Sequence, residues 1–408
     1  MMTRNLFKYT SLIFASSLVL AACGTDTDDD TDTADPDEEV VAPDPDEDDT
    51  TDDETGDSSD DIDDDEDDED YEDEEIDEDD EDDEDDYAVS QDLDLWFPRL
   101  EDTLLEYDGE GMEYASFTRY PQFAYDSTLQ MVESTAGTDV IIVYEYTDDE
   151  VREIFVRPET YFRDDFMNTG LDSMQDEHDI ILQLPIEIGH SWESPTGTVS
   201  EITNVDFEYE TPFGTFDAIE VTRTHDDSQT VFIYAEDIGL VERVFTTSDD
   251  ESEVISTLAS RSKEQPEEID LTVFPLDENA EGLLAVPVTV ELYTNDAIRY
   301  ELAEVLRGKS GGSDAPPLLT DNVSINFMYL GNDDIAYVDF STELVDDMNV
   351  GAGIESLLLQ GLVNTIGGYY SAEEVYLTVD NEPYASGHIE REEGETWSVN
   401  HDSVSWEE

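Results

Sequence analysis

Val140-Ile141-Ile142-Val143-Tyr144-Glu145-Tyr146-Thr147-Asp148-Asp149-Glu150-Val151-Arg152-Glu153-Ile154-Phe155-Val156-Arg157 sets two β-branched and aromatic runs around a short polar turn. Runs of this length suit strands, and a gap this short can only return the chain antiparallel to itself. Thr147-Asp148-Asp149-Glu150 supplies turn-forming side chains. The same rhythm continues through Phe216–Arg223, Thr230–Ala235, Leu240–Thr246 and Glu253–Leu258. His225-Asp226-Asp227-Ser228 reads as a second hairpin turn, and Pro212-Phe213-Gly214 as a break just before a strand. Residues 88–262 are therefore expected to form an antiparallel all-β domain, as a curved sheet, half-barrel or sandwich.

The rhythm changes after that domain. A strand at Ile269–Phe274 and a turn at Pro275–Leu283 lead to a strand at Leu284–Leu292. Ile298, Leu302, Val305 and Leu306 share one helical face within Thr294–Arg307, with Gly308 as the stop. Beyond the loop Gly308–Pro317, strands are expected at Val323–Tyr329 and Ile335–Phe340, hinged at Gly331-Asn332-Asp333-Asp334. A helix over Gly353–Ile366 is apolar on most sides and should be buried. A strand at Glu374–Val379 closes this α+β unit, residues 269–386. The acidic end, 387–408, is expected either to pack back as a strand or to fray.

Ala336-Tyr337-Val338-Asp339-Phe340-Ser341, Gly361-Leu362-Val363-Asn364-Thr365-Ile366 and Val375-Tyr376-Leu377-Thr378-Val379-Asp380 occur in this order, after Phe274-Pro275 and its Asp-Glu-Asn-Ala-Glu-Gly-Leu turn. This pattern resembles the GerMN domain, the sporulation and spore germination domain of GerM-type lipoproteins. The long loop Gly308–Pro317 departs from the family's short Gly-Pro stop. The resemblance implies a non-catalytic envelope module that engages partner proteins in sporulation or germination.

The N-terminus reads as an export signal. Arg4 and Lys8 precede an apolar run, Leu12–Ala22, too short for a comfortable membrane span. Leu20-Ala21-Ala22-Cys23-Gly24 resembles a bacterial lipobox. Cleavage between Ala22 and Cys23 would remove residues 1–22, and Cys23 would carry the lipid. This implies an extracytoplasmic protein anchored to the cell membrane. Cys23 is the sole cysteine, so no intrachain disulfide and no cysteine-ligated metal site can form.

Beyond this N-terminal segment the chain is strongly acidic, and the whole carries a formal net charge of -98. Of residues 25–87, 42 are Asp or Glu and none is Lys or Arg. Such a stretch buries too little to offset its ordering entropy, so residues 23–87 read as the acylated cysteine and a disordered acidic tether. Asp26–Glu39 lacks the glycine and the terminal glutamate of a calcium loop, so only weak divalent binding is expected. Residues 88–408 still hold 71 acids against 13 Lys and Arg. Their surface repels itself unless salt screens it, which points to a salt-loving host. Nucleic acid is disfavoured as a partner.

Little in the sequence points to catalysis. Asp339 and Ser341 have no neighbouring histidine; a strand-end acid and a capping serine describe them better. His178, flanked by Asp176, Glu177 and Asp179, and His190 lack companions for a metal site. Trp192, in Leu184-Pro185-Ile186-Glu187-Ile188-Gly189-His190-Ser191-Trp192, is assigned to the core over a glycan-binding groove. Gly308-Lys309-Ser310 is no phosphate loop, because Ala303 stands where the first glycine belongs and a helix precedes it. No catalytic, metal or cofactor role is assigned. The expected function is membrane-anchored binding of a protein or of peptidoglycan. A carrier of lipid or small ligand, or an accessory of cell-wall hydrolysis, stays open beside it.

Overall fold

The opening hairpin is buried on both faces. Ile142 and Tyr144 point into one apolar core, while Ile141 and Val143 point into another. Alternate residues of a strand face opposite ways, so a run without polar alternation is what two-sided burial demands. The computed structural model describes residues 89–168, 178–247, 250–309 and 317–406. The signal segment, Ala22, Cys23, the acidic stretch to Tyr87, Asp176, Glu177 and most of the Gly308–Pro317 loop lie outside them.

Twelve strands form the first sheet: β1 (Thr103–Glu110), β2 (Phe117–Ala124), β3 (Thr128–Thr135), β4 (Asp139–Tyr146), β5 (Glu150–Pro158), β6 (Asp179–Gln183), β7 (Ser191–Glu193), β8 (Val199–Glu210), β9 (Thr215–His225), β10 (Ser228–Ala235), β11 (Gly239–Thr247) and β12 (Asp250–Lys263). Their order is β6-β5-β4-β3-β2-β1-β12-β11-β10-β9-β8-β7, every pair antiparallel. The Thr147–Glu150 turn closes with Thr147 N donating to Glu150 O at 2.9 Å. The sheet curls until its two edges meet. Trp192 Nε1 of β7 donates to Ile180 O of β6 at 3.0 Å, and Ile180 N donates to Ser194 Oγ at 2.8 Å. The result is a nearly closed barrel. A short helix, α1 (Leu93–Trp96), is started by Asp92, whose Oδ1 accepts from Asp94 N at 3.0 Å. It presses Trp96 and Phe97 into the barrel core, Phe97 lying edge-on to Tyr144 at 4.8 Å.

The C-terminal part holds β13 (Glu267–Val273), β14 (Leu283–Leu292), α2 (Ile298–Leu306), β15 (Ile325–Leu330), β16 (Ile335–Phe340), α3 (Glu343–Asp346), α4 (Ala352–Tyr370), β17 (Glu374–Val379), β18 (Glu382–Pro383), β19 (Trp397–Ser398) and β20 (Val404–Trp406). β13 and β14 form a hairpin; β20 joins β14 in parallel. A second sheet runs β15-β16-β17-β18, with β19 also on β17. β16 and β17 are parallel because α4 carries the chain between them. The acidic end thus packs back through β19 and β20.

The start of one helix, the end of another and the role of Ser341 differ from the sequence expectation, each for a physical reason. The helix expected from Thr294 starts at Ile298, because Thr294 and Asn295 clamp the barrel instead. Thr294 Oγ1 donates to Pro121 O, and Asn295 Oδ1 accepts from Ala124 N. The buried helix does not stop at Ile366 but runs through Gly367 and Gly368 to Tyr370, ending on Ser371 in the left-handed region. A Cβ at Gly367 would stand 2.3 Å from Val399 Cγ2, so the glycine is there for close approach rather than for stopping the helix. Ser341 is not a side-chain cap of α3: its Oγ accepts from Ser324 N at 3.0 Å, tying down the entry to β15.

The outer face of β2–β5, with Tyr120, Val132, Ile141, Val143 and Ile154, shares one apolar core with Leu302, Leu359, Leu362 and Val363 of α2 and α4. The barrel and the C-terminal part lie in one compact unit.

Candidate functional site

The segment after β5 crosses from the barrel to α4. Phe162 meets Tyr370 edge-on at 5.1 Å, and Phe166 stacks on Phe155 at 5.3 Å. Between these rings, Arg163 N donates to the Tyr369 hydroxyl at 2.8 Å. The Tyr370 hydroxyl donates to Asp164 Oδ1 at 2.8 Å. Burial pushes the Asp164 carboxyl up to about 7, and the Tyr370 and Leu330 donors offset only part of that. The paired tyrosines are the last two residues of α4, so the helix's extension past Gly368 delivers them to the barrel.

Arg163 is the hub of the junction, its side chain wholly removed from solvent. Nη1 donates to Glu267 Oε2 at 2.7 Å, and Nη2 to Gln122 O at 2.8 Å and Tyr293 O at 2.6 Å. Gln122 Nε2 reaches Glu267 Oε1 at 2.9 Å, and Gln130 Nε2 reaches Gln122 Oε1 at 2.9 Å. The hub joins β2, β3 and the ends of β13 and β14. A buried ion pair wired this way resists removal of either partner. Burial still raises Glu267, against the pull of Arg163.

Beside the hub opens a cleft of about 450 Å³, walled by Tyr120 and Ser134 of the barrel and by Glu267–Asp270 of β13. Tyr161 stands at its rim, 59% exposed. Asp139, raised by burial, lines it too. The cleft offers carboxylates, amides and one open phenol ring. That set suits a hydrogen-bonding, amide- or hydroxyl-rich partner better than an apolar one.

The sequence candidates fall elsewhere. Asp339 is completely buried and saturated: Asn326 Nδ2 donates to Oδ2 at 2.7 Å, and Thr378 Oγ1 and Asn381 N donate to Oδ1 at 2.6 and 2.7 Å. It locks β15, β16 and β17 together. Trp192 is core, 6% exposed, its indole N–H spent on Ile180 O. His190 lies beside it, rings 5.6 Å apart. Gly308 takes φ +71 as the helix stop, and Lys309 pairs with Asp321 at 3.0 Å. Among the described residues no three metal-ligating side chains come together, and no helix is long and apolar enough to cross a membrane. Cys23 and Ala22 lie outside the described residues. Arg163, Glu267 and the tyrosine pair are not among the sequence candidates. The scarcity of basic residues is the signal that could have found Arg163, one of only thirteen cations in residues 88–408 and set between the aromatic Phe162 and Phe166.

Residues 272–385 match the family described as Germane, sporulation and spore germination. The C-terminal part is therefore a sporulation and spore germination domain, as the GerMN-like motifs implied. No curated protein matches the chain. Among solved structures, the tandem GerMN domains of the Bacillus subtilis sporulation protein GerM match 31% of this chain and 45% of that one, at 17% identity and TM-score 0.25. A protein assigned as a lipoprotein from Clostridium perfringens matches 32% of this chain and 87% of that one, at 21% identity and TM-score 0.22. A Bacteroides fragilis protein of YmcC-like fold matches 41% of this chain and 99% of that one, at 13% identity and TM-score 0.25.

Proposed function

We propose that this chain, which carries a sporulation and spore germination domain over residues 272–385, is a membrane-anchored, non-catalytic envelope lipoprotein that binds a protein or peptidoglycan partner during spore formation or germination. The family match is the observation that carries the reading. The lipobox-like Leu20–Gly24 supports anchoring through Cys23 on the extracytoplasmic side. The bonding of Asp339 and Ser341 supports a structural role for the two residues nearest to a hydrolytic pair. The cleft beside Arg163, with its carboxylates and amides, is the surface we assign to the partner. Lipid carriage is the weaker reading: the cavity beneath Phe97 and Leu240 measures about 20 Å³, space for one water.

Deletion of the gene in its host, with counts of heat-resistant spores and of their germination, tests this. A defect restored by the intact gene but not by Cys23→Ala is expected. Normal spores would overturn the role in sporulation. Release of label from cell wall by the purified chain would overturn its non-catalytic character.

A further inference from the structure

Among the described residues, the seam where β6 meets β7 is the one place in the barrel wall without a backbone ladder. Polar side chains gather along its inner side. Glu153 of β5 lies opposite Asp179 of β6, and Ser200 of β8 lies opposite Arg223 of β9. Thr196 Oγ1 donates to Asp179 Oδ1, and Thr198 Oγ1 sits 3.3 Å from His225 Nδ1 at the rim. Glu153, Ser200 and Arg223 are 5%, 0% and 7% exposed. Glu153 Oε2, Ser200 Oγ and Arg223 Nε are buried with no hydrogen-bond partner among the described residues. Each such orphan costs on the order of 1–3 kcal/mol, so three in one place are not incidental to the fold.

Charge points the same way. The barrel interior encloses Arg119, Arg223 and Arg243 in a chain that has few cations to place. Glu133 holds both Arg119, at 2.9 Å, and Arg243, at 3.1 Å. Arg223 rests over the Phe232 ring at 4.7 Å and makes no ion pair among the described residues. Burial pushes Glu153 up to about 8, Arg223 offsetting it only in part. At neutral pH Glu153 therefore keeps its proton, and among the described residues Glu133 is taken up by Arg119 and Arg243. The Arg223 charge is left for something else to balance.

We propose that this seam is a binding site for a small anionic group, a carboxylate or a phosphate, held between Arg223, Ser200 and Glu153. The guanidinium supplies charge and N–H donors, Ser200 a hydroxyl, and Glu153 in its acid form a third donor. Ionised Glu153 repels the same anion, so binding is tighter in acid than in alkali. Asp179, Glu133 and His225, with its neighbour Asp226, are the other titrating groups near the seam.

The test is a calorimetric titration of the purified full-length chain with inorganic phosphate and with acetate, at pH 6 and pH 9, against sodium chloride of equal ionic strength. Saturable binding above the chloride control is expected, weaker at pH 9. R223Q should weaken it at least tenfold. E153Q, which stays neutral, should bind acetate, an anion of constant charge over this range, at pH 9 nearly as it does at pH 6. Saturation unchanged in R223Q, or no heat above the control from chain that still melts cooperatively, overturns the proposal. Where R223Q does not fold, E153Q decides, and a wild-type fall in affinity between pH 6 and pH 9 in that variant overturns it. Binding to phosphatidylglycerol vesicles that R223Q abolishes identifies a lipid headgroup; binding to free phosphate alone identifies a soluble anion.

Discussion

The Tyr369 hydroxyl accepts from Arg163 N at 2.8 Å and donates to Arg163 O at 3.3 Å, so one phenol satisfies both backbone groups of a residue in the other half of the molecule. Arg163 and Tyr369 are both buried, which leaves no water to take over either role. Tyr369→Phe removes both bonds and strands the N–H and C=O. The loss of stability should be about 1–3 kcal/mol, read as a lower urea midpoint. An unchanged midpoint would show that the junction does not depend on this pair.

The junction and the barrel share a pH response. Asp164 rises to about 7 and Glu153 to about 8 from ordinary values of 3.8 and 4.5, both through burial. A carboxyl raised in the fold binds its proton more tightly there than in the unfolded chain. Its contribution is complete below about pH 4 and is lost as pH rises through 7 and 8. The melting temperature should therefore be higher at pH 5 than at pH 8.5, and Asp164→Asn with Glu153→Gln should flatten the profile. A slope identical to wild type in the double variant sinks this account.

Asp339 binds three strands through one carboxylate. Asp339→Ala leaves Asn326, Thr378 and Asn381 donors without an acceptor inside the core, a loss of about 3–5 kcal/mol. Asp339→Asn keeps one acceptor and should lose less. If Asp339→Ala melts like wild type, the carboxylate is not the tie we describe.

Gly361 packs α4 against the end of β13. A Cβ there would lie 2.3 Å from Phe274 O and 3.0 Å from Leu318 Cδ2. Alanine is the better helix former by about 1 kcal/mol, yet Gly361→Ala should be net destabilising because the backbone carbonyl must move. A rise in urea midpoint would contradict that.

The surface charge gives a salt prediction. Residues 88–408 carry 71 acids against 13 Lys and Arg, and molar salt shortens the Debye length to about 3 Å. Thermal melts of the full chain should shift upward from low to molar NaCl. Insensitivity to salt would remove the argument for a saline habitat.

Much of this was legible in the chain itself. Val140–Val143 announces a strand without polar alternation, and β-branched runs close together leave antiparallel pairing as the only return. Ala336–Ser341 and Gly361–Ile366, in order, marked the sporulation domain. These features are local, and period and spacing report them directly. The ends of helices were less legible. The buried helix is expected to end at Ile366, and nothing within it shows that Gly367 leaves space for Val399. Thr294 looks like a helix start until Pro121 and Asp102 are known to be beside it.

What the sequence alone determined is thus the strand content, the order of an antiparallel β part followed by an α+β part, the sporulation domain and the acidity. Only the tertiary structure decided that the sheet nearly closes at the β6–β7 seam, that Arg163 and Tyr369 join the two halves, and that Ser200 lies opposite Arg223 and Glu153 opposite Asp179. Residues 163 and 369 are 206 positions apart, and no short-range pattern records such a meeting. Long-range contacts of this kind exist only once both faces of β4 have found their cores.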